Sequence, residues 1–337
     1  PHPARRLMRS PLTLALALTI LAAMPLPAAE IEIVSRPIAS FGGAAVGEPV
    51  EKLIWRGGLE LSSTDPDFGG LSDLAFTGAE GELVMVSDSG YFVSARLIAD
   101  AAGTPMALAG GRIDSIRDSS GRNLPTPFSR DAEAASVILR DGVPAALRIG
   151  FENLTRVADY DLVNGRPEGP AREVAIPDWL SRTRTNEALE ALCIATPASP
   201  VAGSTLLITE NVEADDGTSA AFMLGRQDRG PVSVTRSPGL SPTACAFGPD
   251  GELYILERGI ALFSFRMQLR RVPAAAIAPG ATLDGEVLLG AAGGEIDNME
   301  GLTATVGAEG ETVLTLLSDN NFNDWERTLL LQFSVPR

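Results

Sequence analysis

The chain has 337 residues, with 43 acidic and 27 basic side chains and a formal net charge of −16. Such a surface repels nucleic acids and anionic lipids, so we expect a small-molecule substrate as partner and no nucleic acid. His2 is the only histidine, and Cys193 and Cys245 are the only cysteines. These counts exclude a Ser-His-Asp triad and zinc sites built from several imidazoles or thiolates. A metal would need oxygen ligands, which suits Ca²⁺.

Residues 1–29 have the order of a secretory signal peptide. Three arginines precede an uncharged apolar run over residues 12–23, and small residues follow it. The run is too short for a good membrane span. We therefore predict a periplasmic or secreted protein without a membrane span, and a single domain over residues 30–337. The Arg5-Arg6 pair leaves open whether export uses the general or the twin-arginine route.

The rest of the chain consists of short apolar runs separated by Gly, Pro and Asp, which is typical of strands and turns. Five segments repeat one pattern, in which a small or acidic residue opens an apolar strand and a second apolar strand ends in an acid. A repeat of about 57 residues holds about four strands, as a propeller blade does. The opening residues are Ser72, Glu133, Glu190, Thr243 and Glu300.

These repeats predict an all-β fold, a β-propeller with five blades. Too little chain follows Glu300 for a whole blade, and a β-like run over residues 50–61 precedes the first repeat. We expect this N-terminal strand to complete the last blade and close the ring, because closure removes two exposed sheet edges. A sixth blade drawn from residues 31–62 is the alternative. The register also predicts a strand over residues 187–192, despite their helix-forming composition.

Strand direction gathers the acids of the repeats at one mouth of the channel. Consecutive strands run antiparallel, so the start of a first strand and the end of a second strand lie at the same end of a blade. Like charges held there raise one another's pKa values unless a cation lies among them. We predict a Ca²⁺ site whose ligands are Glu133, Glu190, Glu300 and Asp319. The other second-strand acids are Asp88, Glu152, Glu210 and Glu257.

Each of these acids also has a purely structural interpretation. A strand-end carboxylate can accept backbone N–H groups from the next turn, and the repeat would reproduce that contact. The stretch over residues 319–324 is dense in oxygen ligands but lacks the glycine and final glutamate of an EF-hand loop. It fits a metal site and an Asx-rich turn equally well.

Six motifs, in order along the chain, resemble the phytase-like family, whose members are described as having esterase-like activity of phytase. The resemblance runs from about residue 57 to residue 335 and implies an exported propeller that hydrolyses phosphate esters. Ala134, Ala191 and the pair Thr243-Ala244 depart from the family's usual residues. The motifs are Phe68-Gly69-Gly70-Leu71-Ser72, Asp131-Ala132-Glu133-Ala134, Leu189-Glu190-Ala191-Leu192, Leu256-Glu257-Arg258, Asn298-Met299-Glu300-Gly301-Leu302 and Ser318-Asp319-Asn320-Asn321-Phe322.

The resemblance suggests roles for the other polar residues at this mouth. Glu257 or Asp88 would act as the general base. Arginines would hold the phosphate, because Lys52 is the only lysine. A salt bridge between Arg258 and Glu257 is the structural alternative for one of them. The candidate arginines are Arg258, Arg130, Arg182 and Arg184.

The leading hypothesis is a Ca²⁺-dependent hydrolase of phosphate esters that works as a monomer. A metal-dependent lactonase or carboxylesterase is one alternative. A propeller that binds a ligand without catalysis, and whose metal only stabilises the ring, is the other.

The two cysteines fall on the first strands of neighbouring repeats. Their positions within the repeat differ by one residue. Successive side chains of a strand point to opposite faces, so this difference places the two cysteines on opposite faces of their sheets. We therefore expect Cys193 and Cys245 to be two buried thiols, and a disulfide, which an oxidising compartment would allow, is the alternative.

Overall fold

A computed structural model describes residues 28–185, 188–214, 217–262 and 264–337. The predicted signal peptide lies outside the described residues, apart from Ala28 and Ala29. The N-terminal part forms short strands and one long strand: β1 (Ala29–Glu30), β2 (Val34–Ile38), β3 (Ser40–Phe41), β4 (Ala44–Ala45), β5 (Pro49–Val50) and β6 (Leu53–Ser62).

The first two blades are antiparallel sheets whose strands follow one another in sequence. In blade 1 the strands are β7 (Leu71–Phe76), β8 (Glu82–Ser87), β9 (Tyr91–Ala99) and β10 (Pro105–Ser115), and β1 pairs with the outer edge. A short helix, α1 (Pro127–Arg130), leads into the next blade. In blade 2 the strands are β11 (Ala132–Arg140), β12 (Val143–Phe151), β13 (Arg156–Val163) and β14 (Arg166–Val174).

Blades 3 and 4 follow a second short helix, α2 (Asp178–Ser181). The strands of blade 3 are β15 (Leu189–Ile194), β16 (Thr205–Glu213), β17 (Ser219–Leu224) and β18 (Gly230–Val234). Blade 4 contains β19 (Ser241–Phe247), β20 (Leu253–Ala261), β21 (Ser264–Val272) and β23 (Glu286–Ala292). Between β21 and β23 lie a 3-10 turn (Ala274–Ala276) and β22 (Thr282–Leu283), which runs parallel to β18.

The N-terminal strand closes the ring, as predicted. Blade 5 takes β24 (Asn298–Val306), β25 (Thr312–Asp319) and β26 (Thr328–Ser334) from the end of the chain, and its fourth strand is β6. Because β6 pairs antiparallel with β26, the two ends of the chain share one sheet. The protein is a five-bladed β-propeller, and the alternative of a sixth blade from residues 31–62 is wrong.

Apolar side chains fill the spaces between neighbouring blades. The described residues form five buried clusters, one at each interface between adjacent blades around the ring. Every blade therefore packs on both of its neighbours, which explains why its inner strands are apolar on both faces. Among the described residues no helix is long and apolar enough to cross a membrane.

Cys193 and Cys245 form a disulfide between blades 3 and 4, with their Cα atoms 5.6 Å apart. The expectation of two free thiols is wrong, because it applied the alternation rule within one sheet. In a ring, a side chain of blade 3 that faces blade 4 meets a side chain of blade 4 that points the opposite way. An odd difference in repeat position is therefore what brings two residues together across an interface.

Candidate metal and substrate site

The residue that opens each inner strand is displaced from its ladder by a β-bulge. The pairing of first and second strands skips one residue in every blade, for example between Leu71 and Asp73 in blade 1. A bulge re-aims the side chain of the extra residue, and it is a common device next to functional sites. The five extra residues are the repeat openers, Ser72, Glu133, Glu190, Thr243 and Glu300.

The acidic openers meet the acids that end the second strands, as the strand directions predict. Glu133 interacts electrostatically with Glu190 and Glu300, and Glu190 interacts with Glu152 and Glu210. The openers lie at the start of β11, β15 and β24, Glu152 directly follows β12, and Glu210 lies in β16 just beyond its pairing with β15. We call the whole cluster the acidic mouth, and its members are Asp88, Asp131, Glu133, Glu152, Glu190, Glu210, Glu300 and Asp319.

Three members of the acidic mouth are placed to share one cation. One oxygen each of Asp131, Glu133 and Glu152 lies within 4.8 Å of the other two. Asp131 was not among the predicted ligands, although it stands two residues before an opener, where the chain enters the inner strand. Of the four predicted ligands, only Glu133 belongs to this group, while Glu190, Glu300 and Asp319 complete the surrounding cluster.

Burial, followed by mutual repulsion, raises the pKa values of Glu133 and Glu190 in the acidic mouth well above their ordinary range. Burial raises the pKa of Glu152 to about 9, and the charge of Glu133 adds to this effect. Burial also raises the pKa of Glu300 to about 8, although the nearby Arg258 lowers it. For Asp319 burial raises the pKa to about 7. Without a cation, the cluster therefore retains protons at neutral pH.

Arg258 neutralises one side of the acidic mouth. Its guanidinium group donates hydrogen bonds to Glu300 at 2.9 Å, to Glu210 at 3.4 Å and to the side-chain oxygen of Asn298. The predicted salt bridge between Arg258 and Glu257 is not present, because successive residues of β20 point to opposite faces. The N–H groups of Arg258, which were predicted to bind a phosphate, thus already bond carboxylates.

Glu257 faces away from Arg258 and has a separate set of partners. It is fully buried and forms an ion pair with the buried Arg270 at 2.8 Å. Ser237 donates a second hydrogen bond to it at 2.7 Å. The structure does not bring Glu257 into the acidic mouth, and its contacts are those of a structural ion pair between strands β20 and β21.

Asp88, the other predicted base, lies in the acidic mouth. Burial and the charge of Asp131 raise its pKa. Its Oδ1 atom is buried and accepts no hydrogen bond from any described residue. Buried polar atoms without a partner are rare in native proteins, so this atom is a candidate contact for a cation or a substrate group.

A cavity of about 310 Å³ opens beside Asp88 and contains Arg130, the second predicted phosphate ligand. The Nε atom of Arg130 donates to the carbonyl of Leu124 at 2.9 Å. This contact uses the Nε atom, and among the described residues no carboxylate forms an ion pair with the outer nitrogens. Arg182, in contrast, forms an exposed ion pair with Asp178.

The stretch over residues 319–324 forms Asx turns. Asp319 accepts a hydrogen bond from the backbone N–H of Asn321, and the side-chain oxygen of Asn323 accepts one from Trp325. The stretch is therefore an Asx-rich turn, one of the two interpretations of its sequence. Asp319 also interacts electrostatically with Asp88. Glu152 likewise accepts a backbone N–H, that of Ala188, so structural and electrostatic roles coexist in single residues.

Asp73 is a buried acid that sequence reasoning did not single out. Its carboxylate accepts backbone hydrogen bonds from Leu74, from Ala135 in blade 2 and from Leu302 in blade 5. Burial raises its pKa to about 8, although these three donors act in the opposite direction. The equivalent residues of the other blades are Ala134, Ala191, Ala244 and Gly301. A β-carbon on Gly301 would approach the Asp73 side chain within 3.2 Å. The small residues at the equivalent positions therefore leave room for the one carboxylate of Asp73.

Comparison with known proteins assigns the chain to a family. The model of the family described as "Phytase-like: Esterase-like activity of phytase" matches residues 66–322. The chain belongs to this phytase-like family. The match confirms the resemblance inferred from the six motifs. No curated protein matches the chain.

Solved structures with similar folds share little sequence with this phytase-like protein. The PQQ-bound aldose sugar dehydrogenase of Streptomyces coelicolor has a TM-score of 0.43 and 12% identity, covering 83% of this chain and 98% of its own. A glucose dehydrogenase has a TM-score of 0.39 and 13% identity, covering 78% and 96% of the two chains. The structure of U3-55K has a TM-score of 0.35 and 8% identity, with 78% and 95% covered.

Proposed function

We propose that the protein is an exported, Ca²⁺-dependent hydrolase of phosphate esters whose active centre is the acidic mouth. The observation that carries the proposal is the group of three oxygens, from Asp131, Glu133 and Glu152, that lie within 4.8 Å of one another. Around them lie further carboxylates with raised pKa values. Hard cations such as Ca²⁺ prefer several such oxygens, and they replace the protons that the acids otherwise hold.

The donor set fits a hard divalent cation. It consists of oxygen ligands alone, and Asp88, which interacts electrostatically with Asp131, adds a buried oxygen without a partner among the described residues. Asp131, Glu133 and Glu152 would hold the ion. When bound, Ca²⁺ would neutralise part of the cluster and polarise a phosphoryl oxygen.

The residues of the chain would do the remaining work. Arg130 would pair with the phosphate from the side of the cavity, because its outer nitrogens are not committed to a carboxylate. Arg258 would keep Glu300 and Glu210 fixed, because it bonds both. Asp88, which lines the cavity, would accept a proton from an attacking water as the general base.

The test compares phosphate release from 1-naphthyl phosphate with Ca²⁺ and with a chelator. We expect Ca²⁺-dependent turnover that falls by at least about a hundredfold in Glu133→Gln. This is the scale by which general acid–base or metal-assisted catalysis raises the rate of a reaction. Glu60→Gln, which removes an acid of a surface ion pair with Arg36, is the matched control and keeps full activity.

Two other outcomes would each refute the phosphate-ester proposal. Turnover of a p-nitrophenyl acyl ester or a lactone, without phosphate release, would make the protein a lactonase or carboxylesterase. No turnover of any of these substrates, together with a large rise in melting temperature on adding Ca²⁺, would indicate a metal-stabilised binding propeller.

A further inference from the structure

The cavity beside the acidic mouth is lined by both charged and apolar residues. Asp88 and Asp131, two members of the acidic mouth, line it together with Pro127 and Phe128. Phe128 is 62% exposed, which is unusual for a phenylalanine in a region of the surface rich in charge. Arg130 is the one cation among the described residues that line the cavity.

The supply of positive charge at this site is small. Arg258 lies within the acidic mouth but already bonds Glu300 and Glu210. The single lysine, Lys52, forms an ion pair with Glu286 at 2.7 Å. A substrate with many phosphates would bring several negative charges to a cavity that is lined by two carboxylates and one arginine, and repulsion would weaken its binding.

Exposed aromatic side chains are concentrated at the same end of the propeller. Strand direction places the connections after each second strand and after each fourth strand at the mouth that holds the acids. The exposed aromatic residues of the described chain lie on those connections, and they are Phe128, Trp179, Phe322 and Trp325. Phe128 alone among them lines the cavity with Arg130.

We propose that this cavity selects phosphate monoesters whose alcohol part is a flat apolar ring, and that it discriminates against polyphosphates. The phosphate would pair with Arg130 while the ring packs on Phe128, since aromatic surfaces prefer such stacked or edge contacts. Hydrolysis, which rests on the function proposed above, adds water across the ester. The phosphorus–oxygen bond to the ring breaks, and inorganic phosphate and a phenol leave.

The binding preference can be tested without catalysis. Titration calorimetry in Ca²⁺ would compare phenylphosphonate with methylphosphonate, neither of which has an ester bond to cleave. We expect phenylphosphonate to bind about tenfold more tightly, which is the scale of one aromatic contact. Phe128→Ala should abolish this difference. Trp325→Ala, which removes another exposed aromatic residue of the same face, should retain it.

Kinetics separate this proposal from the function on which it rests. We expect a higher kcat/KM for 1-naphthyl phosphate than for phytate, a polyphosphate, and a fall in this ratio of about tenfold in Phe128→Ala through KM. Equal binding of the two phosphonates, or phytate turnover at least as efficient, would overturn the selectivity while leaving the hydrolase intact. Tighter binding of phenylphosphonate with no turnover of any ester would support the cavity and refute the hydrolase.

Discussion

Glu133 and Glu257 are chemically identical side chains in opposite electrostatic surroundings. Burial and the charges of Glu190 and Glu300 raise the pKa of Glu133 well above its ordinary value. Glu257 instead lies against Arg270, and both side chains are almost completely buried. Neutralising Glu133 removes repulsion from neighbouring carboxylates and so favours the folded state. Neutralising Glu257 would leave the buried guanidinium group of Arg270 without a counter-charge and so disfavour it.

The same substitution should therefore have different effects at the two positions. In chelator at pH 7, we expect Glu257→Gln to lower the free energy of unfolding by about 3 kcal/mol, because it leaves Arg270 buried without a counter-charge. Glu133→Gln should leave the stability of the ion-free protein unchanged or raise it, because an amide needs no proton in this cluster. Urea unfolding measures both variants. Equal destabilisation by the two changes would contradict the electrostatic description of the acidic mouth.

The elements of this fold differ in how well sequence predicts them. Repeat spacing and strand direction were enough to place Glu133, Glu190 and Glu300 at one mouth, because antiparallel order fixes which strand ends meet. Orientation around a strand was harder to predict. The partner of Arg258 depends on which face of β20 it occupies, and the bulge that turns each opener leaves no clear mark in the sequence.

Asp131 and Asp73 were missed for a related reason. Asp131 precedes β11 at the position that Gly70 and Ala188 occupy in blades 1 and 3, so the repeat itself does not indicate an acid there. Asp73 bonds backbone N–H groups of two other blades, Ala135 and Leu302, and backbone donors have no residue signature. Contacts made between a side chain and a distant backbone are not visible in a single sequence.

The disulfide ties two neighbouring elements, strands β15 and β19, and closes a loop with a sequence separation of 52 residues. Cross-linking a loop of this size lowers the conformational entropy of the unfolded chain, which raises the free energy of unfolding by about 4 kcal/mol. We expect the double variant Cys193→Ala/Cys245→Ala to lose stability on this scale in urea unfolding. A reducing agent should lower the stability of the natural chain and leave the double variant unchanged. The same response to reductant in both proteins would show that the bond does not contribute.

At the scale of the whole molecule, ring closure gathers the acids of several blades around one centre. Strand β6 pairs with β26 in the last blade, and β7 of blade 1 follows β6 directly. Closure holds blades 5, 1 and 2 side by side, so Glu300, Asp88 and Glu133 meet from three separate sheets. Blade 2 alone supplies Asp131, Glu133 and Glu152, and the ring surrounds this group with the acids of the neighbouring blades.

The acidic mouth should make the stability of the ion-free ring depend on pH. In the folded protein burial raises the pKa of Asp319 to about 7, of Glu300 to about 8 and of Glu152 to about 9. In the unfolded chain the same groups titrate near their ordinary values, about 4. Between these limits the folded state binds more protons than the unfolded state, so the free energy of unfolding falls as pH rises.

We therefore expect the melting temperature of the ion-free protein to be highest near pH 5 and to fall steadily towards pH 9. Ca²⁺ should flatten this slope, because it occupies the cluster in place of protons, and its stabilising effect should grow as pH rises. Melting curves in chelator and in excess Ca²⁺ across this range measure both effects. Glu60→Gln, outside the cluster, controls for surface charge, and Glu300→Gln should reduce the slope. A melting temperature in chelator that increases from pH 5 to pH 9 would mean that the acids are ionised and individually paired in the folded ring.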